Sequence, residues 1–136
     1  MSRKAGKNIE WKNALDIKKR VNHLKRELDL DWLKTSQIHF FRSTNSSSRA
    51  YARIWGLSRV WQMALNSKPS YIIEVLSEKF DRLPKKDQDK VLLHEITHIP
   101  KNFSGSLLPH IKKRGKRNFE DKVKRLILAY SNKKSG

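Results

Sequence analysis

The stretch that most constrains the fold is His94-Glu95-Ile96-Thr97-His98, followed twelve residues later by His110. On a helix, residues four apart stand on one face, so His94 and His98 can direct both imidazoles at one metal ion. Zinc takes neutral imidazole nitrogen in a tetrahedral shell, and a catalytic zinc keeps three protein ligands and an open position for water. Glu95 projects beside that water rather than at the metal, where a carboxylate can act as general base while the water attacks a carbonyl. The same carboxylate can pass the proton to a leaving amine. Val91-Leu92-Leu93, just before the motif, reads as the buried flank of such a helix. The plainer alternative is a surface cluster of two helical histidines around a glutamate.

The chain has no cysteine, which excludes thiolate ligands and disulfides and leaves histidine and carboxylate for any metal. The third ligand is then the open question. His110 is the one histidine downstream of His98, and Gly105 between them lets the chain turn back. Glu120 is the rival, with Asp121 its shorter neighbour. Metzincin peptidases place their third histidine much closer to the second, so the spacing here excludes that pattern. His23 and His39 read as packing or surface residues.

Lysine and arginine total 31 against 13 aspartate and glutamate, a formal charge of +18. Such a field favours polyanions, either nucleic acid or an anionic membrane face, and repels basic substrates. It also fits a merely soluble, lysine-rich surface. Lys112, Lys113, Arg114, Lys116 and Arg117 form a run that cannot be core, and they are the candidate nucleic-acid contacts. No run approaches the roughly 18 apolar residues needed to cross a bilayer, and no apolar signal core follows the basic start. The expectation is a soluble, cytoplasmic monomer without a membrane role.

At 136 residues, 37% hydrophobic and 32% charged, the chain suits one globular domain over 1–136, with 1–8 a basic tail and 131–136 flexible. From Ile9 to Leu33 the spacing of Ile17, Val21, Leu24 and Leu28 predicts one amphipathic helix, with Lys12, Lys18, Lys19, Arg20, Lys25 and Arg26 on its other faces. Strands are predicted at 37–41, 50–55, 59–65 and 71–75, the middle two as a hairpin about Gly56. Tyr51, Trp55 and Trp61 are then expected to pack in the core or across strands rather than to stack on bases. Pro84 suits the first turn of the motif helix, which should run to about Pro100. After a loop to Pro109, Asn118 is a plausible N-cap for a closing helix buried through Phe119, Val123, Leu126, Ile127 and Tyr130. The class is α+β: an N-terminal helix on a mixed sheet of about four strands, then the HExxH helix and a C-terminal helix.

The run Leu93 to Pro100, with Phe103-Ser104-Gly105 and Leu108-Pro109-His110, resembles a zincin-type metallopeptidase family of archaea and phages. The resemblance covers most of the chain, including Ala52-Arg53-Ile54-Trp55-Gly56 and Phe80-Asp81-Arg82-Leu83-Pro84. It implies a minimal zincin-like fold, one zinc ion held by His94, His98 and His110, and Glu95 as catalytic acid/base. SprT-like proteases, which cleave proteins crosslinked to DNA, are similar more loosely, through HExxH beside a basic surface. The expected activity is zinc-dependent hydrolysis of peptide bonds in a protein or peptide substrate, with nucleic-acid-associated proteins as one such class. The alternatives are a nucleic-acid-binding protein with a structural or vestigial metal site, and a metal-dependent nuclease.

Overall fold

The computed structural model describes residues 8–109 and 119–135, with the backbone alone for 119–124 and 134–135. Along these residues the order is β1 (Glu10–Asn13), α1 (Leu15–Glu27), β2 (Ile38–Thr44), β3 (Ala52–Gly56), α2 (Arg59–Leu65), β4 (Tyr71–Leu76), α3 (Ser77–Phe80), α4 (Lys85–Ile96) and α5 (Phe119–Ser135). The class is α+β, as the patterning predicts. The basic start and the run Lys112 to Arg117 lie outside the described residues.

The strands form one mixed sheet in the order β1-β2-β4-β3. β4 lies at its centre, parallel to β2 and antiparallel to β3, while β1 runs antiparallel along β2. Ile38 and Phe40 of β2, Ala52 of β3, and Tyr71, Ile73 and Val75 of β4 alternate onto one face. Against that face α1 buries Ile17, Val21 and Leu24, and α4 buries Leu92, Leu93 and Ile96. Each fully buried Leu or Ile contributes about 1.5–3 kcal/mol relative to exposure, so this single layer of helix on sheet carries most of the hydrophobic stabilisation. Both helices therefore cover the same side. The outer side carries Trp11, Phe41, Ile72, Glu74, Arg53 and Trp55 by the same alternation and register.

Three elements differ from expectation. The predicted first helix is a strand followed by a helix: Ala14, 2% exposed, donates its N–H to the Phe40 carbonyl (2.9 Å), and only after it does α1 begin. Pairing to β2 therefore overrides helix continuation at Glu10–Asn13. The predicted strand at 59–65 is α2, so no hairpin forms about Gly56, and β3 pairs with β4 instead. Alternation misleads there because only Gln62 is buried, which leaves no burial period to read. Asn66 closes α2 in the left-handed conformation (φ 52°), with the Ser67 N–H on the Gln62 carbonyl (2.9 Å). Third, α5 continues through Ser131 to Ser135, where fraying is expected from the sequence.

Tyr51, Trp55 and Trp61 are also not core. They are 47%, 48% and 58% exposed, which overturns the core expectation, although Trp55 does pack across strands, opposite Ile72 of β4. Arg20 differs too. Its guanidinium donates to Asp89, Gln88 and the Lys85 carbonyl, tying α1 to the start of α4 rather than joining a solvated coat.

Candidate metal centre

The helix that carries His94 and Glu95 is held from three directions. Leu92, Leu93 and Ile96 face the sheet, and β3 lies alongside. At its start, buried Asp89 takes the Arg20 guanidinium and the Tyr130 hydroxyl (2.8 Å), so α1 and α5 are both fastened to α4 through one carboxylate. Burial and the neighbouring Asp89 push the Tyr130 phenol up to about 12, which keeps it a neutral donor.

α4 ends at Ile96, short of Pro100, so His98 stands in the turn that follows. The backbone keeps the same-face geometry: the Thr97 N–H bonds to the Leu93 carbonyl and the His98 N–H to the Glu95 carbonyl, both at 3.1 Å. The Thr97 hydroxyl donates to the His94 carbonyl (2.5 Å) and closes the turn from inside. The His94 and His98 rings consequently meet edge to face with centroids 5.4 Å apart. Glu95 is half-buried beside them, and desolvation pushes its carboxyl up to about 7.

The loop after the motif folds back onto His98. Its Nδ1 lies 2.6 Å from the Leu108 carbonyl, and the Leu108 N–H returns to the His98 carbonyl (2.7 Å). With Nδ1 on a carbonyl oxygen, Nε2 is the nitrogen a metal would take; a backbone carbonyl in that role is the usual orienting partner of a metal-ligating histidine. The donor chemistry of the pair therefore fits zinc.

This loop is itself anchored. Tyr71 of β4 accepts from the Gly105 N–H and donates to the Ser106 carbonyl, each at 2.8 Å. Gln62 of α2 donates to the Leu57 and Ser104 carbonyls (2.8 and 2.9 Å). Gly105 adopts φ +99°, and a Cβ there would lie 2.4 Å from the Leu57 carbonyl oxygen. A Cβ on Gly56 would lie 2.2 Å from the Gly105 oxygen. Two glycines thus let the loop press against the end of β3. The Gly105 turn is legible in the sequence. Tyr71, Gln62 and the Leu108 carbonyl are not, because strand-type and helix-type patterns carry no sign of a distant loop.

Among the described residues, no group of three or more histidine, aspartate or glutamate side chains could hold a metal ion. The structure brings His94, Glu95 and His98 together, while His110, Glu120 and Asp121 lie outside the described side chains. His23 and His39 are exposed and belong to other parts of the surface. No described helix is long and apolar enough to cross a membrane.

Comparison with curated proteins and with solved structures finds no match. A family described as "Putative phage metallopeptidase" matches residues 9–130, which spans every strand and the motif helix. The chain belongs to this phage metallopeptidase family.

Proposed function

We propose that this chain is a zinc-dependent peptidase in which His94, His98 and His110 hold the metal and Glu95 is the general base. The observation that carries this reading is the His98 Nδ1 bond to the Leu108 carbonyl, which fits the tautomer and ring orientation a metal ligand needs. Zinc, when bound, supplies Lewis acidity and lowers the pKa of water toward neutrality. Glu95 would be the group that takes a proton from the attacking water and returns it to the leaving amine, and its desolvated setting suits a carboxyl that must both accept and release one near neutral pH. Tyr71, Gln62 and Gly105 hold the loop that orients His98. Among the described residues β3 is an edge strand beside α4, so a substrate polypeptide can add to it as an extended strand alongside the motif helix.

The substrate class follows from charge. A surface at +18 disfavours basic polypeptides and favours acidic ones, or proteins already on nucleic acid, with Lys112, Lys113, Arg114, Lys116 and Arg117 as contacts for the latter.

Purified protein should carry about one zinc per chain, lost in His94→Ala and in His98→Ala. Glu95→Gln should keep the metal and lose hydrolysis of an unstructured acidic protein such as casein. Wild-type protein that takes up no more zinc than His94→Ala after zinc loading would refute the metal site. Equal hydrolysis by Glu95→Gln and wild type would refute the role of the glutamate.

A further inference from the structure

The outer side of the sheet holds a second feature that the metal site does not use. Trp11 of β1, Phe41 of β2, Ile72 of β4 and Trp55 of β3, with Leu57 and Trp61 across from them, line an open groove of about 620 Å³. That is the size of a small-molecule pocket rather than of a packing defect. Trp11, Trp55 and Trp61 are 53%, 48% and 58% exposed, a large aromatic surface that no other described residue covers.

The groove is also organised. Glu74, fully buried on this side, accepts from the Trp55 indole N–H (2.9 Å) and from the Arg53 guanidinium (3.1 Å). The Arg53 guanidinium carbon in turn lies 5.4 Å from the Trp55 ring centroid. One carboxylate thereby fixes both the indole and the cation stacked on it, and no entropy need be lost on binding to orient them.

Charge identifies the occupant. From Trp32 to Ile73, the stretch that supplies β2, β3 and α2, the sequence contains no aspartate or glutamate. The same stretch carries Arg49, Arg59 and Lys68, all exposed, on the segments framing β3 and α2. Glu74, the first acid after it, is buried and already paired. A second copy of the chain would bring another +18 to the contact. Residues 1–7 and 110–118 offer only Met1, Ala5 and Ile111 as apolar side chains, too little to fill the groove. The exposed aromatic faces of Trp55 and Trp61, on segments that carry these cations and no acid, suit stacked bases on a phosphate backbone.

We propose that the aromatic groove on the outer side of the sheet binds single-stranded nucleic acid, with Trp55 and Trp61 stacking on bases and Arg49, Arg59 and Lys68 on phosphates. This surface lies on the opposite side of the sheet from α4, so the proposal stands independently of the peptidase reading. A duplex keeps its bases stacked internally and presents only phosphates, so single strands should bind more tightly.

The test titrates the full chain, with Glu95→Gln in place to prevent self-cleavage, against fluorescein-labelled 15-mer dT, a 15-base-pair duplex and heparin. Anisotropy and tryptophan emission are followed at several salt concentrations. The 15-mer dT should bind with steep salt dependence, quench tryptophan emission and outbind the duplex. Trp61→Ala, on an exposed helix where folding is not at stake, should weaken dT binding roughly 5- to 150-fold, and Trp61→Phe should restore most of it. Heparin, which has no bases, should respond to Trp61→Ala less than twofold. The proposal is overturned if dT does not bind at low salt, if the duplex binds as tightly, or if Trp61→Ala and Trp11→Ala leave dT affinity unchanged. It is overturned as well if the groove tryptophans respond to vesicles of mixed neutral and anionic lipid but not to dT.

Discussion

Tyr71→Phe isolates one hydroxyl and asks whether it holds the loop that reaches His98. The ring would stay in place, fully buried and edge-on to Phe103 at 4.9 Å, so packing is unchanged. What disappears is the acceptor for the buried Gly105 N–H and the donor to the Ser106 carbonyl. Ser106 is exposed, so its carbonyl can turn to water at a cost of about 0.5–1 kcal/mol. The Gly105 N–H has no such route, and a buried unsatisfied donor costs about 1–3 kcal/mol. The loss of an otherwise desolvated hydroxyl offsets part of this, so the net destabilisation should be about 1–3 kcal/mol. For a chain of this size that lowers Tm by roughly 4–12 °C. Urea titration followed by tryptophan fluorescence gives the same quantity at 25 °C, and the slope should not change because the surface exposed on unfolding does not. Because the loop carries the Leu108 carbonyl to His98, zinc affinity should fall as well. A variant with wild-type Tm and wild-type zinc affinity would show that neither bond holds the loop.

Three further outcomes follow from the geometry. Gly105→Ala must place a Cβ at φ +99° against the Leu57 carbonyl oxygen, and should cost about 2–4 kcal/mol in urea titration, whereas a chain as stable as wild type would mean the loop rearranges freely. Asp89→Ala removes the shared partner of Arg20 and Tyr130 and should cost roughly 2–4 kcal/mol; because both changes remove the same bond, Tyr130→Phe should cost about 1 kcal/mol alone and almost nothing in the Asp89→Ala background. Burial by itself would raise the Glu74 carboxyl, but Arg53, with the Trp55 indole, outweighs it and holds the group below its ordinary 4.5. A carboxyl depressed in the folded state adds stability above its unfolded pKa and loses it as pH falls through the folded value. Stability measured from pH 6 down to 3 should therefore drop below about 4.5, and Glu74→Gln should flatten that part of the curve; an unchanged slope would refute the assignment.

Where local pattern and burial agree, the sequence is a faithful guide. Ile17, Val21 and Leu24 mark α1, and Leu92 and Leu93 mark the flank of α4, because each set is one face of a helix pressed on one layer of sheet. The motif histidines likewise require only local geometry. The elements misread are those whose fate is decided elsewhere. Glu10–Asn13 is a strand only because Phe41 to Thr44 lie alongside to pair with it. α2 buries one residue of seven, so its apolar side chains follow no face and read equally well as alternation. Its true signals are Ser58 before it and Asn66 after it. Trp55 and Trp61 illustrate the converse: large aromatics are read as core on average, yet Trp55 stands on the outer side of the sheet and Trp61 on the exposed side of α2.

The place of β4 in the sheet sets the order in which the site can be built. β2 and β3 both precede it in the chain, yet β4 lies between them and pairs with each. During synthesis, then, β1 and β2 can form a ladder, but β3 has no partner until Tyr71 to Leu76 has emerged. The loop to be closed between β2 and β4 is long, and parallel pairing of that kind is slow compared with a hairpin. The residues that follow β4 almost at once are those of α4, whose buried flank needs the finished sheet to rest on. Insertion of one central strand thus stands before any assembly of the histidines, and a nascent chain that stops short of residue 71 leaves β2 and β3 each without the strand that joins them and has not yet reached the motif histidines.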